Sequence, residues 1–110
     1  MTPPSLGSLE LTVLLAVARL GEEAYGVAIR RDLAERTARE HSIGAVYTTL
    51  QRLEDKGLLR SRSSEPLPVR GGRSRRCFAL TGAGARALQE ARAQADSVWA
   101  GVPRLGPKRA

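Results

Sequence analysis

Residues 42–62 read SIGAVYTTLQRLEDKGLLRSR and carry the strongest structural signal of the chain. Ser42 is a good N-cap, because its side chain can accept a hydrogen bond from the free backbone N–H groups of a helix that follows it. Apolar residues then recur at helical spacing on one side, at Ile43, Val46, Tyr47, Leu50 and Leu53. The pattern predicts a helix over residues 43–56, a stop at Gly57 and a short strand over residues 58–62.

The other side of this helix carries small and polar residues, namely Ala45, Thr48, Arg52, Asp55 and Lys56. A helix that reads the major groove buries one face in its own domain and presents such side chains to the bases, mainly from its N-terminal half. The residues that this interpretation favours are Gly44, Ala45, Thr48, Thr49 and Arg52. An ordinary amphipathic helix with a solvated face explains the same pattern, and Glu54 and Asp55 count against a groove contact along the whole helix.

A basic hairpin is predicted after this helix, with a loop over residues 63–72 and a returning strand over residues 73–80. It has one acidic residue, Glu65, and six arginines: Arg60, Arg62, Arg70, Arg73, Arg75 and Arg76. Six guanidinium groups on two strands repel one another, and this cost is easier to understand if phosphates neutralise them. The alternative is a solvated, arginine-rich edge that blocks strand pairing.

Charge is distributed unevenly along the 110 residues. Residues 1–55 carry 6 Lys/Arg against 8 Asp/Glu, whereas residues 56–110 carry 12 against 3. A basic second half favours a polyanionic partner, with nucleic acid ahead of a membrane surface. A soluble protein from an arginine-rich proteome is the simpler alternative.

Several classes of protein are disfavoured by composition. One cysteine, Cys77, and one histidine, His41, build neither a disulfide framework nor a Cys/His metal set. No apolar run approaches the length that spans a bilayer, and the N-terminus lacks the basic region of a secretory signal. No catalytic constellation is recognisable. We therefore expect a cytoplasmic protein that is not an enzyme and needs no cofactor and no metal.

Two further helices predict assembly of two copies. The first, residues 7–20, is apolar almost all round, which favours a second burial surface through Leu11 and Leu14. The last, residues 82–100, is capped by Thr81 and carries a heptad-like seam at Leu88, Ala91, Ala95 and Val98. Trp99 lies beside this seam, where a packing anchor is the favoured interpretation and a stacking surface for a flat effector is the other.

These elements, with a helix over residues 24–39, give a mainly α chain with a small β-hairpin, in the order ααα-ββ-α. This order predicts a winged helix-turn-helix with a C-terminal dimerisation helix. We expect a DNA-binding domain over residues 6–81, the dimerisation helix over residues 82–101 and a disordered basic tail over residues 102–110. Tyr25 and Tyr47 fit either the core or a contact with a phosphate.

The chain resembles the PadR family of bacterial transcriptional regulators, which are winged helix-turn-helix proteins. The resemblance is carried by the apolar first helix, by AYGVAI at residues 24–29, by SIGAVYTTLQRLEDKGL at residues 42–58 and by GGRSRRCFALTGAG at residues 71–84. Thr48 stands where the family usually has proline, and Cys77-Phe78 replaces a usual pair of tyrosines. The short C-terminal part is similar to that of the small subfamily, whose single C-terminal helix dimerises the protein.

This resemblance implies a homodimeric, ligand-responsive repressor that binds a pseudo-palindromic operator in double-stranded DNA. The expected DNA-binding residues are Tyr25, Ser42, Gly44, Ala45, Tyr47, Thr48, Thr49, Arg52, Arg70, Arg73 and Arg75. The expected effector is a small aromatic compound at Trp99. A ligand-sensing or protein-interaction module that keeps the scaffold but binds DNA weakly is the alternative. An enzyme or an RNA-binding protein is disfavoured because catalytic groups and exposed stacking aromatics are missing.

Overall fold

The structure, a computed structural model, describes residues 6–63 and 75–106. Its elements, in chain order, are α1 (Ser8–Leu20), α2 (Gly26–Thr37), α3 (Ile43–Asp55), β1 (Leu59–Ser63), β2 (Arg76–Leu80) and α4 (Gly82–Trp99). The predicted fold class is confirmed: the chain is mainly helical, with one antiparallel hairpin in a winged helix-turn-helix. The hairpin loop and residues 107–110 of the predicted tail lie outside the described residues.

The hairpin pairs not only with itself but also with the segment before α2. β1 and β2 are antiparallel, with Leu59 opposite Leu80 at one end and Ser63 opposite Arg76 at the other. The Phe78 N–H also donates to the Ala24 carbonyl at 2.8 Å, and Tyr25 forms a bridge with Cys77. Residues 24 and 25 are therefore held in extended pairing. This is why α2 begins at Gly26, two residues later than the helical pattern predicts.

The first helix is surrounded by elements of its own chain. α1 packs against α2, α3, α4 and β2, and Leu14 is fully buried there. The prediction that Leu14 faces a second subunit is therefore wrong, because its side chain is completely buried within its own chain. The buried apolar core comprises Val13, Leu14, Ala16, Val17, Ala24, Ile29, Leu33, Val46, Leu50, Leu53, Leu58, Leu59, Phe78 and Ala87. None of the helices in the described ranges has both the length and the apolarity that crossing a membrane requires.

A nearly buried ion pair joins the start of α1 to the end of α3. The Glu10 carboxylate accepts from the Gly7 N–H at 2.9 Å and from Lys56 Nζ at 2.9 and 2.8 Å. Burial alone would raise the pKa of Glu10, but these hydrogen bonds and the positive charges of Lys56 and Arg52 hold that pKa below its ordinary value. The ion pair stabilises the packing of two helices whose partner residues lie far apart in sequence.

Two glycines permit close approach between elements. A Cβ on Gly84, in the first turn of α4, would lie 2.1 Å from the carbonyl oxygen of Leu58. A Cβ on Gly26 would lie 2.4 Å from Cζ of the Tyr47 ring, so this ring from α3 rests on the first residue of α2. Gly84 thus allows α4 to pack closely against the backbone that follows α3, and Gly26 allows the Tyr47 ring of α3 to pack against α2.

Glu10→Gln should lower the free energy of unfolding by about 1–3 kcal/mol at neutral pH, because the neutral amide loses the ionic attraction to Lys56 and keeps only one acceptor oxygen. A carboxyl whose pKa falls on folding contributes stability above its unfolded pKa, and that contribution disappears as the pH falls through the lower folded pKa. The difference between wild type and variant should therefore shrink as the pH drops below 4.5, the ordinary pKa. Urea denaturation across this range measures it. The exposed Glu35→Gln is the control, and a difference independent of pH would contradict the prediction.

Gly84→Ala and Gly26→Ala should have unequal effects on stability. At Gly84 the obstacle is backbone, so we expect a loss of about 2–3 kcal/mol. At Gly26 the obstacle is the end of the Tyr47 side chain, which is 43% exposed and can rotate into solvent, so the loss should stay below about 1 kcal/mol. Thermal denaturation compares the two, and in a Tyr47→Ala background the cost at Gly26 should vanish. Equal losses at both glycines would argue against these contacts.

Candidate nucleic-acid interface

Helix α3 has one buried face and one exposed polar face. Its side chains Val46, Thr49, Leu50 and Leu53 are buried in the core. The exposed face of α3 consists of Gly44, Tyr47, Thr48, Gln51, Arg52 and Asp55. All of these residues except Gly44 line a shallow cavity of about 440 Å³. Because the face presents small and polar groups over three turns, its chemistry suits the edges of bases.

The start of α3 is capped and open to the outside. The Ser42 hydroxyl oxygen accepts from the Ala45 N–H at 3.0 Å, as the sequence predicts. A Cβ placed on Gly44 would have only Ser42 Oγ within 4 Å, at 3.9 Å. No neighbour within the described chain therefore requires glycine at position 44, although glycine weakens a helix.

The predicted residues of α3 separate into outward and inward positions. Gly44, Tyr47, Thr48 and Arg52 are exposed, and Ala45 is half-buried at the edge. Thr49 is only 4% exposed, and its hydroxyl donates to the Ala45 carbonyl at 2.8 Å. The prediction that Thr49 lines a groove is therefore wrong, since it points into the domain on the side of Val46 and Leu50.

Two residues of the exposed face were not among the predicted site residues. Gln51 Nε2 donates to Asp55 Oδ1 at 3.0 Å, between consecutive turns of α3. Gln51 completes the row of positions 44, 48, 51 and 55, whose alternating spacing of four and three places them on one stripe. That spacing, counted from Gly44, is the signal that could have identified Gln51 from the sequence.

Tyrosine rings connect this face to the hairpin. Tyr47 lies at the edge of α3 with its ring over Gly26, as described above. Tyr25, which precedes Gly26 in the chain, is half-buried. The guanidinium carbon of Arg75 lies 4.5 Å from the centroid of the Tyr25 ring. A cation over an aromatic face at this distance is an attractive contact. The exposed face of α3 thus continues, through Tyr47 and Tyr25, to an arginine beside β2.

The hairpin arginines have different surroundings. Arg76 donates to Glu54 Oε1 at 2.6 Å, and the Ser61 hydroxyl donates to the other carboxylate oxygen of Glu54 at 2.7 Å. The sequence analysis assigned these arginines one acidic residue, Glu65, which lies outside the described residues. The structure adds Glu54 of α3, whose carboxylate is turned toward the strands. Arg60 and Arg62 are exposed on β1. The predicted contacts Arg70 and Arg73 lie outside the described residues.

Helix α4 belongs to the domain at its start and extends beyond it afterwards. Ala87 is buried, and Leu88 is half-buried against the core. From Arg92 to Gly106 every residue is exposed. Of the predicted dimer residues, Leu11, Leu88 and Ala91 are half-buried, whereas Ala95, Val98 and the nearby Trp99 are exposed. Leu88 already has intramolecular packing, so the unpartnered apolar surface lies farther along the helix.

The described side chains show no grouping suited to a metal ion: nowhere in residues 6–63 and 75–106 do three or more His, Cys, Asp or Glu residues cluster. Cys77 is a buried free thiol on β2. The exposed face of α3 offers hydroxyl, amide and guanidinium groups for hydrogen bonding, and the hairpin offers positive charge. These groups are chemically suited to a nucleic acid, whose phosphates are negatively charged and whose base edges carry hydrogen-bond donors and acceptors.

Comparison with known proteins agrees with this geometry. Residues 14–90 match the family model of the transcriptional regulator PadR-like family. A PadR-like transcription factor from Bacteroides fragilis is 28% identical, with a TM-score of 0.67 and 82% of each chain covered. A PadR family transcriptional regulator from Eggerthella lenta is 32% identical, with a TM-score of 0.65 and coverage of 86% of this chain and 83% of that one. RosR from H. salinarum is 26% identical, with a TM-score of 0.67 and coverage of 93% and 84%.

None of the curated proteins matches the chain significantly. The family match nevertheless spans α2, α3 and the hairpin, together with the second half of α1 and the first half of α4. These are the elements that position the exposed face of α3 and the arginines beside it. The chain therefore belongs to the PadR-like family of transcriptional regulators.

Proposed function

We propose that this regulator binds a pseudo-palindromic operator in double-stranded DNA as a homodimer. The exposed face of α3 enters the major groove, while Tyr25, Tyr47 and Arg75 contact the phosphate backbone. The observation that carries the proposal is the continuous surface from Gly44 through Tyr47 and Tyr25 to Arg75. A winged helix-turn-helix places its recognition helix and the neighbouring basic strands on one side in this way.

Gly44 supports an approach by the N-terminal half of α3. Glycine in a helix costs about 0.5–1 kcal/mol relative to alanine, and no contact in the described chain explains that cost here. A base pair or a phosphate that approaches the helix backbone would explain it. The N-terminus of a helix also carries partial positive charge, which favours a phosphate near Ser42.

The polar residues have two different roles in this proposal. Thr48 and Arg52 contact base edges. Arginine most often pairs with guanine, whereas threonine can contact several different bases. Ser42 and the arginines beside the strands neutralise phosphates and fix the register of the protein on DNA, with little sequence preference. Arg70 and Arg73 stay in the proposed set on the strength of the sequence alone. Ala45 lines the groove at its edge.

The far half of α4 supports the homodimer. Val98 and Trp99 are 73% and 63% exposed, and Val102 and Leu105, beyond the end of the helix, are exposed as well. Apolar side chains gain about 25 cal/mol for each Å² removed from water, so a second copy packed here would be stabilised. Two recognition helices related by a two-fold axis would then meet half-sites about 34–36 Å apart.

Repression, and release from DNA by a small aromatic effector, are proposed from the family resemblance. The exposed indole of Trp99 supports an effector site, because a flat aromatic compound can stack on it. The same exposure supports Trp99 as a packing anchor for the second copy. A ligand-sensing module with weak DNA binding is the second candidate, and it predicts an effector response in Trp99 fluorescence without DNA affinity.

Gly44→Ala should stabilise the fold by up to about 1 kcal/mol, because alanine favours a helix more than glycine does. It should also weaken operator binding, because the added methyl group would stand between the helix backbone and the DNA. The operator is obtained by sequencing DNA selected from random fragments, and affinity is measured by fluorescence anisotropy at several salt concentrations. Wild-type affinity should fall with salt, with a log–log slope of about −0.9 for each phosphate contact. Gly82→Ala, at the start of α4, is the matched control and should leave DNA binding unchanged. Unaltered operator affinity in Gly44→Ala would contradict the proposed docking.

Val98→Glu should convert the dimer to a monomer, because it places a charge in the proposed apolar contact. Circular dichroism should stay unchanged, since Val98 is exposed in the single chain. Operator affinity should fall at least about 10-fold when two half-sites are no longer bound together. Ala93→Glu puts the same charge on the opposite side of α4 and should remain dimeric by light scattering. A dimeric Val98→Glu variant would remove this part of α4 from the interface.

A further inference from the structure

Gln51 occupies the centre of the exposed face of α3. At 100° per residue, Gly44, Gln51 and Asp55 fall within about 40° of one another, whereas Arg52 lies about 100° from Gln51. Gln51 is exposed and lies one turn after Tyr47 and Thr48. A side chain at the middle of the face reaches deeper into a groove than one at its edge.

The contact with Asp55 gives the Gln51 amide one orientation. Nε2 donates to Asp55 Oδ1 at 3.0 Å. An ionised carboxylate accepts hydrogen bonds but cannot donate them, so the opposite orientation would place two acceptor oxygens against each other. The amide is therefore turned with its NH₂ group toward Asp55, which leaves Oε1 and one N–H available to a partner.

This pair of free groups matches one base. Glutamine recognises adenine by accepting from N6–H and donating to N7 in the major groove. Resting on the DNA binding proposed above, we propose that Gln51 reads an adenine in each half-site and that Asp55 is the residue that positions its amide. Gln51 is then a specificity-determining residue of this regulator.

The negative charge of Asp55 makes its effect on DNA affinity separable from its effect on the orientation of Gln51. A carboxylate on the exposed face of α3 repels phosphates, so Asp55 weakens binding to any DNA through electrostatics. Its removal should consequently raise affinity for random DNA and, at the same time, reduce discrimination at the adenine. A residue that only stabilised the helix would not change these two quantities in opposite directions.

The experiment uses the full chain and the operator that it selects from random fragments. We expect one A·T pair in each half-site at which exchange for G·C weakens wild-type binding by about 5- to 150-fold. Gln51→Ala should bind both versions equally within about two-fold. The matched control Gln89→Ala, exposed on α4, should keep the wild-type preference. Binding of random DNA should change little in either variant.

Replacing that adenine by 7-deazaadenine tests the contact itself, because it removes the N7 acceptor without changing pairing. The analogue should weaken wild type but not Gln51→Ala. Asp55→Asn should bind random DNA more tightly than wild type and lose part of the adenine preference, because an amide partner permits both orientations of Gln51. Asp96→Asn removes the same charge from α4 and should keep the preference.

Specific outcomes would overturn the proposal. If Gln51→Ala kept all the base preferences of the wild type, Gln51 would not read any base. An equal loss of affinity for operator and random DNA would show that Gln51 contacts a phosphate. Unchanged discrimination in Asp55→Asn would remove the positioning role. Failure of the wild type to select any sequence would instead contradict the proposed function, so the two failures are distinguishable.

Discussion

The pairing of residues 24 and 25 with β2 determines where three elements of this domain meet. The Ala24 carbonyl and the Tyr25 backbone are held by the strand, so α2 starts at Gly26 at a defined distance from the hairpin. The ring of Tyr47 then lies over Gly26, where α3 approaches α2. Because Tyr25 also stacks with Arg75, the same short segment joins the exposed face of α3 to the basic strands.

The small size of the domain explains the central place of α1. A chain of 110 residues buries a limited part of its surface, and one helix covered on several sides uses its apolar residues efficiently. α1 contacts α2, α3, α4 and β2, while its Leu15 side stays 40% exposed. The far half of α4 has no such cover. The proposed homodimer would therefore form through the part of the chain that contributes least to the core of one subunit.

Local signals made α3 and the hairpin predictable from the sequence. The Ser42 cap and the apolar spacing after it are contained within a few residues, and the predicted helix agrees with Ile43–Asp55 apart from its final residue. Alternation likewise predicts Leu59 inside and Arg60 outside on β1. These features depend on neighbours in the sequence, which a single chain displays directly.

Features that depend on distant partners were missed. Glu10 and Lys56 are 46 residues apart, and nothing local pairs them. The burial of Leu14 follows from the elements that pack around α1, and that of Thr49 from the rotation of α3 against the core. The role of Ala24 and Tyr25 depends on a strand at the other end of the domain. Of the candidate site, the helix and its capped start could be predicted, but which polar groups point outward required the packed structure.

Attachment of α3 at both ends makes it part of a rigid body. Its first half packs against α2, Lys56 ties its last turn to α1, and Glu54 ties it to the hairpin through Arg76. A helix mounted at three points cannot tilt by itself without breaking one of these contacts. In the homodimer proposed above, a signal that changes DNA occupancy would therefore act by moving the DNA-binding domain of one copy relative to that of the other. The distance between the two domains, rather than the pose of α3 within either one, would then be the variable that an effector controls.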